Sequence, residues 1–143
     1  MAKGGQRSEV KRLLTVLIVL VGGIVSSWAE GENLLGAKMD EVGYTLKGLR
    51  RATPEEAVEL VQKAQVLMWE CFQWLPAVVT EMEEGAAKKK ATANYKRVMA
   101  ESYRSLCVLE LAYLSGDEDA IDEAIDLVKK FRKEGHVEFI EGE

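Results

Sequence analysis

Apolar residues recur at three- and four-residue intervals through most of this chain, the period at which one face of an α-helix is buried. Leu35, Met39, Val42, Leu46 and Leu49 form the first such seam and predict a helix over about 33–51. Gly43 and Gly48 lie within it, each weakening a helix by roughly 1 kcal/mol relative to alanine. The second seam is Ala57, Leu60, Ala64, Leu67, Cys71 and Leu75. It opens on Thr53-Pro54-Glu55-Glu56, where Thr53 and Glu56 can cap each other and Pro54 suits the first helical position. Pro76 is its natural stop. Gly85 to Lys90 reads as loop or fraying helix, and the third seam runs through Tyr95, Met99, Ser102, Leu106, Leu109 and Tyr113 to a stop at Ser115-Gly116-Asp117. The fourth is Ile121, Ala124, Ile125, Val128 and Phe131. Acidic residues at its start and basic residues toward its end both favour the helix dipole.

The links Ala52-Thr53 and Ser115-Gly116 are too short for anything but antiparallel neighbours. The expectation is an all-α domain, an up-down-up-down antiparallel four-helix bundle. That topology gathers the start of the first helix and the end of the fourth at one end. Met39 and His136 therefore share an end of the bundle.

The first 29 residues follow a different pattern. Lys3, Arg7, Lys11 and Arg12 stand against Glu9 alone, and Leu13 to Ala29 carries no charge. A basic start, an apolar run and small residues at Ser27 and Ala29 are the marks of a secretory signal peptide. An uncleaved signal anchor is the second reading, since 17 uncharged residues are at the short limit for a span. Residues 1–29 are thus read as signal peptide or anchor and 30–143 as the bundle domain, exported to the periplasm, touching a membrane only through 13–29 if the segment is retained.

Composition narrows the function. The 143-residue chain has a net charge of −5, and from Glu30 onward 15 basic residues face 23 acidic ones, a net −8. So acidic a domain is not a general nucleic-acid binder, which needs basic surface to displace counterions. No nucleophile–base pair, phosphate loop or paired-histidine motif is present, so no enzyme is read. The one histidine, His136, lies about 20° round the fourth helix from Ile125 and about 60° from Ile121, at the edge of the predicted apolar face if the helix passes Gly135. By position alone it reads as a surface histidine. Cys71 and Cys107 fall roughly 18 Å apart along the expected helix axes, beyond the roughly 7 Å reach of a disulfide. Two free, buried thiols are expected.

Taken together, Leu35, Met39, Leu46-Lys47 and Ala52, then Gln73 before Pro76, Asn94-Tyr95-Lys96-Arg97, Gly116, and finally Lys129, Arg132 and His136 resemble the soluble periplasmic cytochrome b562 family over nearly all of the chain after residue 29. The resemblance implies a haem b (iron protoporphyrin IX) held non-covalently, with Met39 and His136 as axial ligands to the iron. Tyr95 and Met99 would wall the pocket, and Arg132 would lie beside the haem edge. Such a pair suits electron transfer with an unidentified redox partner protein, and leaves no open position for substrate. Covalent attachment is not expected, because no Cys-x-x-Cys-His occurs. Met99 or Cys71 could replace Met39 as sixth ligand. The resemblance is to a monomer. The other reading is a haem-free exported helical bundle, acting as a protein-binding or envelope stress module.

Overall fold

The computed structural model describes residues 34–140, which are helical between turns. The signal segment read at 1–29 lies outside the described residues. Helix α1 covers 34–47 and tightens into a 3-10 turn, Gly48–Arg51. Helix α2 is Pro54–Cys71, α3 the single turn Ala77–Thr80, α4 Ala86–Ser115 and α5 Glu118–Phe139. Among the described residues no helix is long and apolar enough to cross a membrane.

The local signals act as physical chemistry requires. Thr53 and Glu56 form the reciprocal capping box at the head of α2: the Thr53 N–H donates to Glu56 Oε2 at 2.8 Å and the Glu56 N–H donates to Thr53 Oγ1 at 3.3 Å. Asp117 caps α5 by accepting from the Ala120 N–H at 3.1 Å. Gly116 ends α4 in the left-handed region, φ 68°, a conformation that costs glycine least.

Three boundaries differ from the periodicity. Helix α2 stops at Cys71, five residues before Pro76, where the chain turns over Phe72-Gln73; the proline itself restricts only Leu75. The chain then makes the unexpected turn α3, which buries Val79. The lysine run is not loop but the first turns of α4. Ala86, Ala87 and Ala91 are strong helix formers, and Lys88 is held by Glu84 at 2.6 Å and by the Thr80 carbonyl at 3.1 Å. Gly135 does not end α5. A Cβ there would lie 3.5 Å from Val98 Cγ1, so this is a point where α5 runs close against α4.

Consecutive long helices are antiparallel. Lys38 pairs with Glu70 at 2.6 Å and Glu41 with Lys63 at 3.6 Å across α1 and α2. Gln62 and Gln65 both donate to Glu110 across α2 and α4, holding its carboxyl below the ordinary range. Arg97 reaches Glu134 at 2.5 Å across α4 and α5. The core between them is built on Val61, Ala64, Leu106 and Leu109, all at or below 1% exposure. Of the predicted fourth seam only Ala124 and Phe131 are buried, while Ile121, Ile125 and Val128 are half-buried.

The thiols are free, Cys71 buried and Cys107 half-buried rather than buried. Trp69 meets Tyr103, so Cys71 is level with about residue 101 of α4. The axial offset to Cys107 is then about 9 Å at 1.5 Å per residue, shorter than predicted because α4 runs on past the end of α2, which sets Cys71 beside the middle of α4 rather than near its start. Burial pushes the Cys71 thiol up to about 11, with Glu70 adding and Lys38 opposing. At pH 8 Cys71 is therefore expected to alkylate on the order of 100-fold more slowly than an ordinary exposed thiol, with Cys107 labelled first. Mass spectrometry of the native protein over time checks this, and equal rates at the two sites contradict it.

Candidate functional site

Four of the residues singled out in the sequence meet in one region. Tyr95 and Met99, one turn apart on α4, are 5% and 4% exposed and share a core cluster with Leu35 and Cys71. Met39 is half-buried and packs against that cluster. Phe139, in the last turn of α5, sets its ring edge-on to Tyr95 with centroids 5.2 Å apart. The periodicity did not single out Phe139, because it lies beyond a glycine that sequence rules treat as a stop.

The Tyr95 hydroxyl is buried with no hydrogen-bond partner among the described residues. Burial, with a smaller contribution from Cys71, pushes its phenol far above the ordinary range. It is a neutral hydroxyl, and an unsatisfied buried hydroxyl costs stability.

His136 and Arg132 do not join the cluster, as both are exposed on α5. The exposure of His136 agrees with its reading by position as a surface histidine; its placement at the edge of the apolar face, drawn from Ile125, is what differs. That face is centred on Ala124 and Phe131, and His136 lies about 120° round from Ala124. The prediction gave the half-buried Ile125 too much weight. Helix α5 does carry His136 in regular geometry, since the Ile140 N–H donates to the His136 carbonyl at 2.9 Å.

The flanks on which the two proposed ligands stand are informative. On α1, Lys38 and Glu41 mark the side turned to α2. Met39 is about 100° round from Lys38 and about 160° from Glu41, so it stands on the flank away from α2. On α5, Glu134 binds Arg97 and Glu138 binds Asn94, marking the side turned to α4. His136 is about 160° round from both glutamates, and Arg132 about 160° from Glu134. They stand on the flank away from α4.

The α1 flank carries a further feature absent from the sequence reading. Gly36 and Gly43 bracket Met39, at about 60° and 40° from it on the helical wheel. A Cβ added at either would meet nothing within 4 Å. In the sequence Gly43 reads as a helix-weakening residue, and Gly36 carries no signal. Together they leave a narrow strip of bare backbone along one side of Met39, with open space beside it among the described residues.

No protein-family model, no curated protein and no solved structure matches this chain.

Proposed function

We propose that this chain is a b-type cytochrome of the periplasm. In this reading α1, α2, α4 and α5 close into an up-down-up-down bundle, and a haem lies non-covalently between α1 and α5. Met39 holds one face of the iron and His136 the other. The observation that carries the reading is the pair of flanks on which Met39 and His136 stand, each turned away from the neighbouring helix that its own helix grips among the described residues. Met39 stands away from α2, and His136 stands away from α4. In a four-helix ring the first and last helices are neighbours, so both flanks then border one gap. The exposure of His136 fits a residue at the mouth of that gap.

The residue types suit the group. Bare backbone at Gly36 and Gly43 makes room for a flat ring beside Met39. Tyr95, Met99 and Phe139 offer an apolar wall. Arg132, one turn before His136, brings a cation to the gap's rim, where carboxylates at a haem edge would need one. Cys71 is a poor rival ligand, because a thiol with its pKa near 11 is protonated at neutral pH. Met99 is enclosed in the core on α4 whereas Met39 is half-buried, so Met39 is the thioether of choice. Bound haem supplies a one-electron couple, and thioether ligation favours its reduced state.

Adding haem to the full chain is expected to give a sharp low-spin visible spectrum, lost in both Met39→Ala and His136→Ala. A spectrum that survives His136→Ala overturns the ligand assignment. No binding at all returns the second reading, a haem-free exported bundle that docks a protein partner. That reading is favoured by one contact, the Phe139 ring on Tyr95, which closes the apolar end with the protein's own side chains.

A further inference from the structure

The outward face of α4 changes character along its length. Its first half is basic, with Lys89, Lys90, Lys96, Arg97 and Arg104 exposed. Its second half presents Leu111 at 67% and Leu114 at 63% exposure. Beside Leu111, a groove of about 500 Å³ opens between α4 and α5, lined by Val108, Ala120 and Leu127, with Glu123 on its rim. Contiguous exposed apolar surface of this kind marks a contact site more often than scattered leucines do.

The charges around the groove identify what it contacts. On the flank of α5 beside it, Asp119, Glu123 and Asp126 occupy the first half, and Lys130 and Lys133 the second, all exposed. Leu127 lies between the two sets. An acid–apolar–base strip is complementary to itself when a second strip lies antiparallel upon it, the arrangement a two-fold axis produces. With Leu127 near the axis, Glu123 meets Lys130 of the second copy and Asp119 meets Lys133, each pair twice. Leu111 then covers Ala100 and the aliphatic stem of Arg104 of the second copy.

We infer that the α4–α5 face is a homodimer contact, in which a second copy of this chain packs antiparallel across Leu127. This departs from the monomer expected by resemblance. It does not depend on haem, since the face lies on the opposite side of α5 from His136.

Light scattering on the full chain over a concentration series tests it. The expected result is a dimer whose dissociation constant rises about tenfold or more in Leu111→Lys, a residue exposed enough for the fold to be unaffected. Glu123→Lys and Lys130→Glu should each weaken the dimer, and the double variant should recover it, because reversing both charges restores complementarity. Tyr44→Lys, on α1 and 79% exposed, should change nothing. A monomer at all concentrations overturns the inference. So does an association, through residues 13–29 or any other surface, that ignores Leu111→Lys and shows no recovery in the double variant.

Discussion

Replacing Leu106 by alanine is expected to cost about 3 kcal/mol of folding stability. Leu106 is 1% exposed and lies mid-α4, in one cluster with Val61, Ala64 and Leu109. Truncation loses the transfer free energy of the removed carbons and leaves a void. The void is hard to close. Val61 and Ala64 are short, and Ser105 is tied back to the Ser102 carbonyl at 2.7 Å. For a domain of this size the melting temperature should fall by roughly 10–20 °C, measurable by circular dichroism. A loss below about 1 kcal/mol would mean that this layer is not packed as described. Leu111→Ala, five residues on but 67% exposed, should shift stability by no more than about 0.5 kcal/mol in the monomer.

Gly116→Val is expected to cost about 2 kcal/mol, and for a different reason. A Cβ at Gly116 meets nothing within 4 Å, so packing is not at issue. The cost is the backbone itself, at φ 68° and ψ 16°, where a β-branched residue clashes with its own main chain. Asparagine tolerates this region better. The losses should therefore grade as valine, then alanine, then asparagine. Chemical denaturation of the three variants checks the order, and equal losses would place the effect elsewhere. The site also sets the α4–α5 turn, because the Gly116 N–H donates to the Tyr113 carbonyl at 3.2 Å.

Features set by neighbouring residues were legible. The Thr53–Glu56 box and the Gly116 stop involve groups within three residues of one another, so their chemistry can be read without a fold. The seams of α2 and α4 were legible too, because Ala64, Leu67, Leu106 and Leu109 face the centre squarely. Helix α5 was read less well. It borders fewer helices, so its isoleucines are only half-buried, and a face drawn through Ile125 points too far toward His136. The lysine run misled because a solvated loop and a solvated helix turn have the same composition. What separates them is Lys88 bridging back to the Thr80 carbonyl, a contact that requires α3.

The candidate site divides in the same way. Met39, Tyr95, Met99, Arg132 and His136 could all be named from the sequence. Which of them meet could not. Tyr95 and Met99 converge with Met39 because α1, α2 and α4 pack around Cys71. His136 stands apart, because the phase of α5 follows the burial of Ala124 and Phe131, with Glu134 and Glu138 meeting α4 at the edge of that face. The bare strip at Gly36 and Gly43 has no sequence signal of its own, since a glycine in a helix looks like a weakness until the space beside it is seen.

By itself, the sequence determined the class of this protein: helical period, capped ends, short links, an acidic charge and one imidazole. Those are properties of residues a few positions apart, and short-range hydrogen bonds and apolar spacing decide them. Only the tertiary structure decided the rotation of each helix about its axis. That rotation depends on which apolar side chains, Val61, Ala64, Leu106, Leu109, Ala124 and Phe131 among them, are buried against a neighbouring helix; the surface pairs at Glu70, Lys63, Glu110 and Arg97 mark the same faces. It is why Cys107 is half-exposed, why His136 faces away from α4, and why Leu111 and Leu114 were left on the surface.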